Sequence, residues 1–148
     1  MKTVNINYKC SALEQYSHLP FRHGSPRMYI HKCDGFKIIV FSSGKCRIMG
    51  CKAPLASTDV LPLGAVITGI FSVTVTFNLY MLVNLHKLAR SCNSSWEPEL
   101  FPALRLLDFK PLCVNVFGTG NVVILGLRNL HYDKILRQIS KLVYKHAN

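Results

Sequence analysis

Six cysteines, six histidines and seven acids are the residues of this 148-residue chain that could ligate a metal or move a proton. Their spacing suits neither task. The cysteines sit at 10, 33, 46, 51, 92 and 113, and no CxxC occurs. His31-x-Cys33 with Cys46-x4-Cys51 is the nearest approach to a zinc set, and its inner spacing is wrong for a finger. So few carboxylates argue against a two-carboxylate enzyme or a calcium site. His131 beside Asp133 reads as a helix start rather than a catalytic pair. Gly44-Lys45 lacks the spacing and the following hydroxyl of a phosphate-cradling loop, and there is no nucleophile elbow or HExxH. The chain is therefore expected to be no enzyme, to take no small-molecule substrate and to need no metal or cofactor.

What remains is positive charge beside apolar residues. Eighteen Lys and Arg against seven acids leave a formal charge of +11. The excess is even: residues 1–74 carry +6 and residues 75–148 carry +5. Such a balance favours a polyanionic partner, nucleic acid or an anionic membrane surface. An apolar fraction of 49% rules out general disorder, and the length suits one domain.

The first residues contain no hydrophobic run, so no signal peptide is expected and the thiols are expected to be reduced and mostly buried. Val60–Leu85 is an uncharged stretch of 26 residues, long enough to span a bilayer as a single helix. A small single-span membrane protein is therefore one alternative. Against it, Pro62, Gly64 and Gly69 break the first part, and Phe71–Phe77 alternates apolar with small polar residues, the mark of a half-buried strand.

The elements that would position the basic and aromatic residues occur twice. Phe41-Ser42-Ser43-Gly44-Lys45-Cys46-Arg47-Ile48-Met49-Gly50-Cys51-Lys52 returns, 76 residues on, as Phe117-Gly118-Thr119-Gly120-Asn121-Val122-Val123-Ile124-Leu125-Gly126-Leu127-Arg128. Each reads as a hairpin turning at Gly44 or Gly120. Thr3–Tyr8 and Phe71–Phe77 read as strands, followed by short helices near Ala12–Ser17 and Leu82–Ala89. Polar loops come next, Leu19–Pro26 and Cys92–Pro102, then strands near Arg27–Lys32 and Phe36–Phe41, and near Ala103–Phe109 and Leu112–Phe117. Tyr132–His146 is an amphipathic helix, whose first-copy counterpart after Lys52 is stunted by prolines. The reading is an α+β domain of two pseudo-symmetric halves, 1–70 and 71–148.

Ser94-Ser95-Trp96-Glu97-Pro98-Glu99-Leu100-Phe101-Pro102-Ala103-Leu104 resembles the second-half stirrup of the TATA-box-binding proteins, which reads S-S-Y-E-P-E-L-F-P-G-L. Lys110-Pro111 and the two Phe-x-x-Gly hairpins continue the likeness, and Phe41-Ser42-Ser43-Gly44-Lys45 is that family's F-S-S-G-K. The resemblance is specific over about 94–128 and 36–52 and architectural elsewhere. It implies a saddle: a curved antiparallel sheet from two repeats, with helices on the convex face and the concave face in the minor groove of double-stranded DNA. It also implies Phe pairs wedged between base steps, a transcription-initiation role in the nucleus (the host's nucleus if the chain is viral), and recruitment of a TFIIB-like factor.

Carried over by position, Phe101 and Phe117 match the second-half wedge pair and Phe41 one first-half wedge. The partner of Phe41 falls near Gly24, with Phe21 the closest aromatic. Asn5 matches the first-half groove-reading Asn, and the second-half site falls at about Val75. The groove-reading Thr of each hairpin is replaced by Met49 and Leu125. Arg47 and Val123, two residues earlier, stand at apolar groove-facing positions, and Asn115 faces the groove by parity with Phe117. Lys45, Lys52 and Arg128 match flanking cations that serve phosphates. Glu97, Glu99 and Leu100 match the surface grasped by TFIIB. The loss of polar readers keeps open a second alternative, a protein-interaction module of the same fold without sequence-specific DNA binding.

Overall fold

The structure is a computed structural model describing residues 2–12, 18–24, 27–56 and 59–147. Its strands are β1 (Lys2–Ala12), β2 (Met28–Cys33), β3 (Phe36–Phe41), β4 (Lys45–Cys51), β5 (Ala65–Asn78), β6 (Ser94–Ser95), β7 (Leu104–Leu106), β8 (Cys113–Val116) and β9 (Asn121–Leu127). The helices are α1 (Leu85–Ser91) and α2 (Asp133–Ala147), with a 3-10 turn over Pro62–Gly64. The short helix expected near Ala12–Ser17 lies outside the described residues from position 13 on. The chain divides into two compact units, Val4–Val73 and Met1–Thr3 with Thr74–Asn148, the change falling inside β5.

In the first unit the strand order is β2-β3-β4-β1-β5. Antiparallel pairing sets Ile39 opposite Arg47, and Lys9 and Cys10 opposite Arg47 and Cys46. Period-2 alternation then separates two faces. Ile6, Tyr8, Cys10, Ile38, Val40, Cys46 and Ile48 fill one, all buried. Burying each large aliphatic side chain contributes roughly 1.5–3 kcal/mol. The Tyr8 hydroxyl accepts from the Leu55 amide at 2.9 Å, so the chain after β4 returns to this face. Gly50 takes φ +85°, and there the β1–β4 register shifts, which puts Cys51 back on the buried side.

The thiol expectation is corrected here. Cys10 and Cys46 are register partners with Cα atoms 5.4 Å apart, and they form a disulfide. Of the free cysteines only Cys51 is buried; Cys33, Cys92 and Cys113 are half-buried. Burial pushes the Cys51 thiol up, and the nearby Cys33 adds to the shift.

In the second unit the order is β5-β9-β8-β7-β6. Val75, Phe77, Leu104, Leu106, Val114, Val116, Val122 and Ile124 are buried, as are Leu88 of α1 and Ile139 and Val143 of α2. α1 starts at Leu85, later than the sequence suggested, because Asn84 caps it by accepting from the Lys87 amide at 3.0 Å. In α2, Asp133 in the first turn and Lys145 and His146 in the last suit the helix dipole. The Tyr144 hydroxyl donates to the Leu79 carbonyl at 2.7 Å.

Residues 60–85 are thus one 3-10 turn, a 14-residue strand and a loop, not one long helix. Among the described residues no helix is long and apolar enough to cross a membrane.

Candidate nucleic-acid interface

The face opposite the core differs in each unit. In the first it carries Asn5, Asn7 and Lys9 of β1, Lys37, Ile39 and Phe41 of β3, and Arg47 and Met49 of β4. Lys9 and Lys37 are exposed; the others are half-buried. Lys45 and Lys52, at either end of β4, are exposed too. The Asn5 carbonyl oxygen is buried without a hydrogen-bond partner. Asn7 is consumed by structure: its oxygen accepts from the Gly50 amide at 3.0 Å, and its nitrogen donates to the Ser72 hydroxyl at 3.1 Å. Arg47 donates to the Cys46 carbonyl at 3.0 Å and lays its guanidinium 4.9 Å from the Phe71 ring centroid.

Phe41 is half-buried at the foot of its hairpin, where its carbonyl accepts from the Gly44 amide. Among the described residues no ring pairs with it. Phe21 is half-buried and Gly24 is exposed.

The second unit's corresponding row runs across three strands. Arg105, Asn115 and Val123 are successive cross-strand partners, and Leu125 stands opposite Cys113. Arg105 and Leu125 are exposed and Val123 is half-buried. Asn115 sits between its partners at only 6% exposure. Thr74 and Thr76 of β5 are half-buried on the side away from Val75. This corrects the expected second groove-reading position: Val75 is fully buried in the core, and the Thr74 and Thr76 hydroxyls beside it take the outward side. Arg128 follows β9 and is exposed.

At the end of that row Phe101 and Phe117 meet edge to face, with ring centroids 6.0 Å apart and planes at 70°. Phe101 is 46% exposed and Phe117 half-buried, so neither ring is sealed in the core. A cavity of about 180 Å³ beside them is lined by Phe101, Glu97, Arg105 and Asn115 among others. The hairpin under Phe117 is tied at its turn. Gly120 has φ +93°, its amide donates to the Phe117 carbonyl, and its carbonyl accepts from the Leu79 amide.

The loop before Phe101 is a tight turn: the Leu100 and Phe101 amides both donate to the Glu97 carbonyl, at 2.9 and 3.0 Å. It presents Glu97, Glu99 and Leu100 to solvent, Leu100 at 80% exposure. Trp96 anchors it, half-buried and edge-on to His86 at 4.7 Å.

Comparison with known proteins gives the class and then the family. The fold matches the solved structure of Methanococcus jannaschii TBP with a TM-score of 0.70 and 21% identity, covering 97% of each chain. No curated protein matches. The family model for "Transcription factor TFIID (or TATA-binding protein, TBP)" matches residues 68–146, just over half of the chain. The chain belongs to the TATA-binding-protein family of transcription factors.

Proposed function

We propose that this chain is a divergent initiation factor of that family, acting in the nucleus and built from two copies of one unit, 1–70 and 71–148. It binds duplex DNA in the minor groove with the open rows of both copies. Affinity comes from Lys45, Lys52, Arg105 and Arg128 on phosphates and from DNA deformability, and little from base readout. Arg47, Asn5, Asn115 and the Thr74 and Thr76 hydroxyls are the polar groups left for the groove floor. Met49, Val123 and Leu125 make apolar contact there.

The single observation supporting this reading is the Phe101–Phe117 pair, two aromatic rings in contact and partly open to solvent. Large apolar rings left accessible at the end of the Arg105–Asn115–Val123 row suit a wedge that opens a base step. Unstacking costs a few kcal/mol, offset by the surface a bent duplex covers. Phe41, without a ring partner, makes the first-unit kink the weaker one. The Glu97–Leu100 turn takes a TFIIB-like factor.

The test is a fluorescence measurement of end-to-end distance on a doubly labelled duplex. The intact chain shortens the distance, and a variant with Phe101→Ala and Phe117→Ala binds without shortening it. Bending that survives both substitutions would overturn the wedge assignment. A second reading, a protein-interaction module of the same fold without sequence-specific DNA binding, is favoured by the apolar Met49, Val123 and Leu125 on the rows. It requires that the intact chain does not bend the duplex and that its affinity shows no steep salt slope.

A further inference from the structure

Helix α2 has no role in the reading above beyond closing the core. Its Ile139 and Val143 are fully buried, as are Val75, Leu104, Val114 and Ile124 of the strands it covers. Strand alternation points those four away from Arg105, Asn115 and Val123. The helix therefore lies on the far side of the sheet from the row proposed to take DNA. With a helix about 10 Å thick in between, a duplex on that row stays out of reach of the outer face of α2.

That outer face is a stripe of one charge. At about 100° per residue, Lys134, Arg137, Lys141 and Lys145 fall within a sector of about 80° centred opposite Ile139 and Val143. All four are exposed, and among the described residues none has an ion-pair partner. The one acid of the helix, Asp133, is taken by Lys2 at 3.8 Å. From Lys134 to Lys145 the stripe runs about 16 Å, the axial rise of about five phosphates of one DNA strand. An acidic protein segment would need apolar anchors as well as charge. Here Ile135, Leu136 and Leu142 are half-buried, and the exposed Tyr144 has its hydroxyl on the Leu79 carbonyl. A phosphate backbone needs only the cations.

We propose that the Lys134–Arg137–Lys141–Lys145 stripe is a second nucleic-acid site, which takes the phosphate backbone of another duplex segment without regard to sequence, so that one chain bridges two segments of DNA. The inference rests on the reading above for the first segment, held by the row. The second is held by α2 alone.

The experiment mixes donor-labelled and acceptor-labelled duplexes with the intact chain and reads energy transfer between them. The wild type gives transfer, and raising salt from about 50 to about 200 mM weakens capture of the second duplex about a hundredfold, as four phosphate contacts require. Lys134→Gln, Arg137→Gln, Lys141→Gln and Lys145→Gln together remove the transfer, while bending of a single duplex and the melting temperature stay unchanged. Lys134→Gln with Lys145→Gln alone lowers the salt slope of bridging from about −4 to about −2. Lys134→Arg, Lys141→Arg and Lys145→Arg together keep the transfer. A wild type that bends one duplex and bridges none, or bridging that survives the four glutamines, overturns the inference alone. Poly-glutamate that displaces the second duplex at a lower charge concentration than unlabelled duplex does assigns the stripe to an acidic protein segment and overturns it too. A wild type that binds no duplex overturns the DNA reading, and this inference with it.

Discussion

At the scale of single residues, parity decides which side chain can meet a ligand. Asn5, Arg47 and Met49 fall on the open row because Ile6, Cys46 and Ile48 take the core. Carrying positions over from the family pattern placed the second Asn equivalent at about Val75, on the core side. Val75 is buried, while Thr74 and Thr76 face outward, because β5 runs on as one strand from Ala65 and the pattern around Gly69–Phe71 is irregular. The family resemblance supplied the Phe101–Phe117 pairing, and the two rings are in contact. Spacing could not reveal the Cys10–Cys46 link, because their separation of 36 residues becomes a contact only through the β1–β4 register. Alkylation in denaturant followed by mass measurement should therefore modify four cysteines without reductant and six with it. In the native chain at pH 8 Cys51 should react slowly. Its raised pKa keeps it a thiol, and the thiolate is the nucleophile, so its rate climbs only at higher pH. Six alkylated cysteines without reductant would remove the link.

At the scale of elements, the hairpin from β8 to β9 sets where Phe117 stands. A Cβ on Gly120 would collide with the Met81 carbonyl oxygen, and φ +93° is itself unfavourable for alanine. Gly120→Ala is expected to cost about 2–4 kcal/mol, a midpoint lower by about 5–15 °C. Gly69→Ala, with nothing within 4 Å and an ordinary backbone, should shift it by about 2 °C or less. Equal shifts in the two thermal melts would contradict this assignment. Strand positions and the two hairpins were legible because alternation and Gly spacing are local signals. Helix starts were less so: the α1 boundary depends on the Asn84 cap rather than on the apolar periodicity. The Glu97–Leu100 turn belongs at this scale too. Glu97→Arg with Glu99→Arg should abolish capture by a TFIIB-like factor and leave duplex affinity equal or slightly higher. Loss of both activities in one pull-down and mobility-shift series would point to misfolding instead.

At the scale of the whole molecule, the chain carries +11 with only seven acids, and it belongs to a family of transcription factors. The charge was plain from composition and the family from eleven residues of the stirrup. The partner's sequence was not, because the hairpin positions that would carry polar readers hold the apolar Met49 and Leu125. With readout that thin, the proposed binding rests on phosphates, and phosphate binding has a quantitative signature. The most direct measurement is the affinity of the intact chain for a short duplex across a salt series. If about six phosphates are contacted, log K should fall against log salt with a slope of about −5. A slope near zero, or no binding at low salt, would contradict DNA binding by this protein.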